Sequence, residues 1–228
     1  MSFGGPIVDN FGVIQEFPAR SLLTGLVGNA LGYDHRNFTL LQRLQERICF
    51  AVRIDRPGRE IIDYQTVDLG QEFLDMKKLG WTTRGRPDTR EGGTASSGTH
   101  IRYRHFIADG SVTVVITLNP TDEAPTLDSI AAALVEPARP LFLGRKCCIP
   151  SEPVFIGKAI GTSLLDVLKA HQAKGTETRF RAQWPAEDGC DTESRIIPVT
   201  DERDWSNQFH CGKRFVRQGI IRASEGSQ

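Results

Sequence analysis

The segment 16–33, EFPARSLLTGLVGNALGY, constrains the fold of this chain more than any other. Its apolar residues recur at helical spacing, which predicts a buried helix. Pro18 suits the beginning of that helix, because its missing N–H would have no partner there. Three glycines lower the stability of the helix, so we expect another element to pack closely against them. They are Gly25, Gly28 and Gly32.

The N-terminal end of this helix is a candidate anion site. Arg20 and Ser21 lie where a helix exposes unpaired N–H groups and a partial positive charge, so a phosphate would fit there. Thr24 lies one turn further on and is a third candidate contact. A second interpretation stays open, in which Ser21 or Thr24 caps the helix and Arg20 is a solvent-exposed charge.

Charge is segregated along the chain, although its formal net charge is zero, with 28 basic and 28 acidic residues. Seven basic and two acidic residues lie within 77–105, which gives this segment a local charge of +5. Seven acidic and two basic residues lie within 185–205, which gives a local charge of −5. The net charge therefore says nothing about partners, whereas the distribution indicates two charged surfaces.

The basic segment 77–105 contains Trp81 and Tyr103, and Phe106 follows it directly. Cations hold phosphates while flat side chains accept bases, so this mixture is typical of proteins that bind single-stranded nucleic acid. Glycine, proline, serine and threonine are frequent in 80–98, which predicts a long flexible insert between strands. The alternative is a solvated loop without a partner.

Alternating and β-branched patterns predict strands around this insert. Residues 48–55 and 61–67 are predicted to form a hairpin across the turn Arg56-Pro57-Gly58-Arg59, and 101–107 and 111–118 are predicted strands. The remaining predictions are helices at 38–47, with Asn37 as N-cap, at 127–135 and at 163–170, and strands at 154–156, 178–184 and 195–199, the last two paired.

The turn Gly144-Arg145-Lys146 places two cations beside a residue that allows close approach of a backbone. A phosphate or an RNA backbone could bind there. Short basic turns also occur on surfaces that bind nothing, and this alternative stays open.

His100, Tyr103, His105 and Lys146 are the candidate residues for a metal-free ribonuclease site. Such a site needs a base for the 2′-hydroxyl and a cation for the developing charge. The two histidines are five positions apart, and nothing in the sequence places them near Lys146. Metal-ligand spacings, G-x-G-x-x-G and a P-loop are absent, so we expect neither a metal nor a nucleotide cofactor.

Five cysteines, an odd number without C-x-x-C spacing, favour a reducing compartment over a disulfide framework. No apolar run reaches membrane-spanning length, and the first residues show no signal-peptide pattern. These features predict a cytoplasmic protein that has no membrane partner.

In four segments that follow the same order, the chain resembles the CasD family, the type-five CRISPR-associated subunit of Cascade surveillance complexes. The similarity is greatest to the subtype I-E branch. The segments are SFGGP at 2–6, FPARSLLTGLVGNALG at 17–32, DYQTV at 63–67 and FLGRKCCIPSEPVFIG at 142–157.

The resemblance implies an α+β fold. It consists of a RAMP ferredoxin-like (RRM-like) domain with a protruding β-hairpin thumb, followed by a smaller, β-rich C-terminal part. On this basis we expect the RAMP domain at 1–136, with its basic thumb at 77–105, and the glycine-rich turn and C-terminal part at 137–228. Family members have a central first strand just before the SFGGP-like loop. We therefore expect that strand to be missing from this chain, and the true start to lie upstream.

The resemblance also implies a function. The family binds the 5′ handle of the CRISPR RNA, caps the helical row of backbone subunits (CasC) and helps to seat the large subunit (CasA). This implies a non-catalytic role in RNA-guided antiviral DNA interference, with target DNA contacted only indirectly. Matching positions are Arg20, Ser21, Gly144, Arg145 and Lys146 for the handle, and, by position and charge only, Arg84, Arg86, Arg90, Arg102 and Arg104 in the thumb.

Two alternatives to this role remain. The first is a metal-independent endoribonuclease that processes precursor CRISPR RNA, as CasD relatives of subtype I-C do. The second is a protein-only adaptor whose basic segment contacts an acidic partner.

Overall fold

The computed structural model describes residues 1–7, 11–68, 80–81, 87–88, 99–173, 177–189 and 193–223. Its helices are α1 (Arg20–Ala30), α2 (Phe38–Arg47), α3 (Leu127–Val135) and α4 (Leu164–Ala170). The first six strands are β1 (Ile48–Arg56), β2 (Arg59–Asp68), β3 (Gly80–Trp81), β4 (Pro87–Asp88), β5 (Thr99–Ala108) and β6 (Ser111–Leu118). The later strands are β7 (Arg179–Pro185), β8 (Ser194–Val199), β9 (Glu202–Asp204), β10 (Phe209–Cys211) and β11 (Arg214–Arg222).

A five-stranded antiparallel sheet in the order β6-β1-β7-β11-β8 forms the centre of the molecule. β1 is buried on both faces, so it takes an interior position between β6 and β7. The predicted hairpin of 48–55 with 61–67 is therefore wrong. β1 pairs with β6, with Ile48 opposite Leu118, while β2 pairs with β5.

Helices cover both faces of this sheet. On one face, Val52 packs with Leu44 of α2 and Ile130 of α3, and α1 joins the same cluster. On the other face, Ala51 packs with Leu168 of α4 in a second cluster. The predicted α+β class is thereby confirmed.

The predicted helices agree closely with the observed ones. The bounds predicted for α2 and α3 match, and Ser163 caps α4 by accepting a hydrogen bond from the N–H of Asp166 (3.0 Å). The expected close packing occurs at Gly28, where a Cβ would lie 2.5 Å from Leu41 of α2. None of the helices in the described ranges is long and apolar enough to cross a membrane.

β2 and β5 form a two-stranded ribbon of ten residue pairs, from Arg59 opposite Ala108 to Asp68 opposite Thr99. The expected thumb hairpin is present, but its described strands begin at 59, before the predicted segment 77–105. Most of 77–105 lies outside the described residues, including three predicted contacts. These are Arg84, Arg86 and Arg90.

The junction between the ribbon and the sheet contains two residues with positive φ, a backbone conformation that few residue types adopt. Gly58 has φ +70°, and a Cβ there would lie 2.3 Å from the carbonyl oxygen of Ala108. Asp109, in the connection between β5 and β6, has φ 54°. Positive φ is costly for residues other than glycine, so the junction has a defined conformation.

The first residues pack against the base of the ribbon. Met1 and Ile107 exchange two backbone hydrogen bonds of 2.8 Å, and a single bridge joins Gly4 to Ile14. Residues 1–7 contain no strand of the central sheet, and within the described ranges no strand pairs with the outer edge of β6.

The strands after residue 177 differ from the prediction in their pairing. β7 and β8 do not pair with each other but lie on opposite sides of β11, which forms six or more residue pairs with each. The predicted strand at 154–156 is wrong, because this described stretch has no strand partner and lies between Pro153 and Gly157. Strands from 1–136 and from 137–228 join one sheet.

Candidate nucleic-acid interface

A groove of about 240 Å³ lies between the start of α1, the turn at 144–146 and the β9–β10 hairpin. It brings together two segments that the sequence singled out separately, the start of the helix and the glycine-rich turn. It also includes a wall that the sequence did not predict. Side chains or backbone of Ser2, Ser21, Gly144, Arg145, Arg203 and His210 line it.

Gly144 holds the turn against the N-terminal segment. Its φ is +101°, and a Cβ would lie 1.8 Å from the carbonyl oxygen of Ser2. The N–H of Ser2 donates to the carbonyl of Leu143 (2.9 Å). Only glycine fits this approach. The backbone that lies close to Gly144 is that of Ser2, and the contact with a phosphate or an RNA backbone stays a prediction.

Arg145 connects three parts of the molecule. It donates to the carbonyl oxygens of His105 (3.2 Å) in the ribbon and Gly12 (3.1 Å) in the first loop, and its guanidinium lies 5.0 Å from the ring centre of Phe106. Burial lowers the pKa of Arg145, and the positive charge of Arg104 lowers it further. Lys146 beside it is exposed.

The start of α1 is not a free anion site, which corrects the prediction. Asp201 occupies it: its carboxylate accepts the N–H of Arg20 (3.1 Å) and its carbonyl accepts the N–H of Ser21 (2.9 Å). The guanidinium of Arg20 pairs with Glu202 (2.6 Å). Ser21 lines the groove but does not cap the helix, since the N-cap residue is Ala19.

Thr24 is fully buried, and its hydroxyl donates to the carbonyl of Arg20 (2.9 Å). Its hydroxyl is therefore hydrogen-bonded within α1, and the residue has no surface that a ligand could contact. The capping role considered for Thr24 is also not observed, because its oxygen does not accept a free helix N–H.

Within the described residues, acidic side chains of the segment 185–205 bind groups of the protein itself. Asp188 accepts the N–H of Leu164 (2.8 Å) at the start of α4. Glu193 pairs with Arg179 (2.6 Å). Residues 190–192, in the middle of the predicted acidic surface, lie outside the described ranges.

The two described arginines of β5 lie on one face of the ribbon. Arg102 and Arg104 oppose Gln65 and Asp63, so they share one face, because side chains alternate along a strand. Phe106, which Arg145 contacts, lies on this same face. Arg102 and Arg104, the two predicted thumb contacts among the described residues, thus lie on the same face of the ribbon as the ring that Arg145 contacts.

Two of the ribonuclease candidates, Tyr103 and His105, lie on the other face of the ribbon. The ring of Tyr103 stacks on Phe11 with 5.9 Å between ring centres, and it meets Tyr64 edge-on at 5.5 Å. His105 shares a hydrogen bond with Glu60. The side chain of His100 lies outside the described part, and no contact joins this set to Lys146 within the described residues.

Sequence analysis missed Arg203 and His210. The guanidinium of Arg203 lies 5.6 Å from the ring centre of Trp205. Burial lowers the pKa of His210, and the positive charge of Arg203 lowers it further. The strands β9 and β10 have three residues each, too short for a periodic signal, and Arg203 lies within a segment that is acidic overall. Groups of three or more potential metal ligands are absent from the described part of the chain.

The sequence model of the family described as "CRISPR-associated protein (Cas_Cas5)" matches residues 1–217. The chain belongs to this Cas5 family. The resemblance to CasD is confirmed by the Cascade subunit CasD of Escherichia coli (strain K12), which is 30% identical to this Cas5-family chain over 156 residues. That match covers 68% of the chain and 65% of the relative, so the chain spans just under two thirds of the relative's length.

Solved structures also resemble this Cas5-family chain. One, described as "CRISPR RNA-guided surveillance complex", has a TM-score of 0.61 at 21% identity and covers 97% of this chain and 86% of the other. A second, described as "Crystal structure of Cas protein", has a TM-score of 0.61 at 22% identity and covers 99% and 93%. The chain thus shares its fold with these Cas proteins, as the resemblance implies.

Proposed function

We propose that this chain is a non-catalytic, RNA-binding subunit of a type I Cascade surveillance complex, and that it binds and caps the 5′ handle of the CRISPR RNA. The observation that carries the proposal is the groove, in which the Gly144 turn and the start of α1 lie side by side. The similarity to the Cascade subunit of E. coli and to a chain of an RNA-guided surveillance complex supports the assembly.

Cationic side chains give the groove and its surroundings the character that single-stranded RNA requires. Arg145 lines the groove and Lys146 is exposed beside it. Arg102 and Arg104 extend the positive surface along the ribbon. A single strand can follow such a path, with phosphates on the cations and bases free to be read at their edges.

The ribbon and the surface around it are the proposed contacts to neighbouring subunits. Ile62 and Tyr64 are 57% and 56% exposed, on the ribbon face opposite Arg102 and Arg104. Exposed apolar side chains in a row are typical of a protein–protein contact. We assign this face to the backbone subunit CasC, whose row the chain would cap, and we expect CasA nearby and target DNA only through the assembled complex in the cytoplasm.

Coexpression of the chain with its candidate neighbours and a CRISPR RNA tests the capping role. We expect the purified complex to contain the RNA with its 5′ end protected from 5′ exonuclease. RNA that is absent or unprotected in an assembled complex would contradict the proposal and favour the protein-only adaptor. Copurification of the partners after ribonuclease treatment would support that adaptor further.

One observation gives the ribonuclease alternative a specific test. His105 is hydrogen-bonded to Glu60 on the face that also carries Tyr103, so an imidazole and a phenol lie on one surface. Cleavage of precursor RNA in EDTA, lost in His105→Ala, would establish this activity. Intact precursor at high protein concentration is the result that we expect.

Lys146→Ala tests the role of the turn in RNA binding. Loss of one single-strand phosphate contact should reduce the slope of log K against log salt by about 0.7. Lys158→Ala removes an equal charge from an exposed residue that pairs with Asp128, so it is the matched control. Equal slopes in the two variants would exclude Lys146 from the site.

A further inference from the structure

Arg203 lines the groove as a half-buried cation that has no carboxylate within ion-pair distance in the described part of the chain. One terminal nitrogen donates to the carbonyl of Gln208 (2.9 Å), while Nε is buried without a partner among the described residues. Burial lowers the pKa of Arg203, because the charge is held away from water. An anion in the groove would relieve this cost.

The acidic residues on either side of Arg203 are engaged elsewhere. Asp201 accepts two hydrogen bonds from Arg214, of 2.8 Å and 2.6 Å, in addition to the N–H of the helix start. Glu202 pairs with Arg20 at 2.6 Å. Neither carboxylate is therefore available to neutralise Arg203.

Asp204, the third acidic neighbour, is engaged within its own turn. It accepts the backbone N–H groups of Ser206 (2.9 Å) and Asn207 (3.0 Å), and hydrogen bonds from the side chains of the same two residues. These bonds hold the pKa of Asp204 far below its usual value. Its charge is thus fixed on the turn that follows Arg203.

Arg145, in the wall formed by the 144–146 turn, is in the same electrostatic situation. The acceptors of its hydrogen bonds are carbonyl oxygens, and no carboxylate lies within ion-pair distance of it in the described ranges. Two segments that are far apart in sequence thus each contribute an arginine to the lining of one groove, and no carboxylate of the described residues pairs with either arginine.

We infer that Arg145 and Arg203 together bind a backbone phosphodiester of single-stranded RNA, so that the β9–β10 hairpin supplies the second wall of the site. This inference rests on the proposed function for the class of ligand. A guanidinium forms paired hydrogen bonds with phosphate, and Nε of Arg203 has no acceptor of its own among the described residues. The groove volume of about 240 Å³ leaves room for a phosphate and part of its nucleotide.

His210 lies beside Arg203 in the groove and takes a different role. Its depressed pKa keeps the imidazole neutral at pH 7. A neutral imidazole donates one hydrogen bond and accepts another, so it suits a base edge or a sugar hydroxyl better than a phosphate. The phosphate contact is therefore assigned to the two arginines.

The test measures binding of fluorescein-labelled octauridylate to the full chain at several salt concentrations. Arg203→Gln should weaken binding roughly tenfold or more and reduce the log–log salt slope by about 0.7. Arg203→Lys keeps the charge, so it should keep the slope while losing part of the affinity. Arg36→Gln is the matched control, since Arg36 is 91% exposed and pairs with Asp34.

The outcomes separate this inference from the proposed function. If the wild-type chain and Arg203→Gln bind with equal affinity and slope, the role of Arg203 is overturned while the proposed function stands. If Arg203→Gln weakens binding but the assembled complex leaves the 5′ end unprotected, only the proposed function fails. If the wild-type chain does not bind octauridylate, the inference fails, and protection of the 5′ end in the assembled complex decides the proposed function separately.

Photo-crosslinking of the unaltered chain provides a test that does not depend on a variant folding. Octamers containing 4-thiouridine should crosslink to peptides from both walls, 144–146 and 203–211. Crosslinks confined to the ribbon strands, 59–68 and 99–108, would overturn the inference.

Discussion

Gly144 is the residue whose backbone most directly shapes the groove. Two features require glycine at this position: the positive φ and the contact with the carbonyl of Ser2. Gly189 shares the positive φ but not the contact. Gly189 has φ +105°, close to the +101° of Gly144, but a Cβ there would have nothing within 4 Å. The pair therefore allows the effect of the contact to be separated from the effect of φ.

We expect Gly144→Ala to destabilise the protein more than Gly189→Ala does. Both substitutions place alanine at positive φ, which costs about 1–2 kcal/mol. Gly144→Ala should cost about 1–3 kcal/mol more, because the methyl group meets the Ser2 carbonyl. Urea denaturation of the three proteins measures the difference, and equal losses would show that the turn moves freely away from Ser2.

His210 provides a pH-dependent probe of the groove. Burial and then Arg203 lower its pKa below the usual value near 6.5, so the unfolded chain binds this proton more tightly than the folded one. Its contribution to stability is therefore present above pH 6.5 and is lost as the pH falls through the folded pKa. In Arg203→Gln the pKa should rise but stay below 6.5, because burial remains. Titration of the imidazole protons by NMR measures both values, and an unchanged pKa would show that Arg203 is remote from the ring.

At the scale of elements, Arg145 fixes the ribbon to the loop at 11–16 and to the groove. Its two hydrogen bonds come from a charged donor, so each contributes about 1.5–3 kcal/mol. Removing it leaves the carbonyls of Gly12 and His105 without this partner. The exposed Lys146 makes no such connection in the described structure.

Arg145→Ala should therefore increase amide hydrogen exchange at 11–14 and at 105–107, whereas Lys146→Ala should leave exchange there unchanged. Both variants should weaken RNA binding. Hydrogen exchange followed by mass spectrometry, at matched pH and temperature, distinguishes them. Unaltered protection in Arg145→Ala would mean that the ribbon is held by its other contacts, such as the Met1 and Ile107 pairing.

The elements themselves were largely predictable from sequence, and their pairing was not. The bounds of α2 and α3 follow from local periodicity and are correct. The partners of β1 lie about 60 and 130 residues away, so no local pattern could exclude the hairpin with β2. In the site, Gly144 and Arg145 carried a local signal, whereas Asp201 at the start of α1 and Arg203 in the groove depend on long-range docking of β9.

At the scale of the whole molecule, one sheet joins the two parts expected at 1–136 and 137–228. β1 from the first part pairs with β7 from the second, and each face of β1 has its own core. Leu44 and Leu168 are 1% and 0% exposed in these two cores. A protein built in this way should unfold as a unit.

We expect Leu44→Ala and Leu168→Ala each to cost about 2–5 kcal/mol and to shift one common unfolding transition. Far-ultraviolet circular dichroism reports on all elements, and tryptophan fluorescence, to which Trp184 in the Leu168 core contributes, reports on tertiary packing. Both probes should give the same midpoint in each variant. Two separated transitions would contradict a single cooperative unit and would support independent domains.

A change in backbone conformation at the junction, at Gly58 and Asp109, would rotate the whole ribbon relative to the sheet. Ten residues in each strand extend about 33 Å, so a rotation of about 10° at the junction displaces the far end by roughly 6 Å. Arg145 contacts the ribbon near its base, so a small movement at this contact produces a larger displacement at the far end of the ribbon. Sequence changes at 58 or 109–110 would therefore redirect the ribbon toward a different neighbour without altering any residue of its own surface.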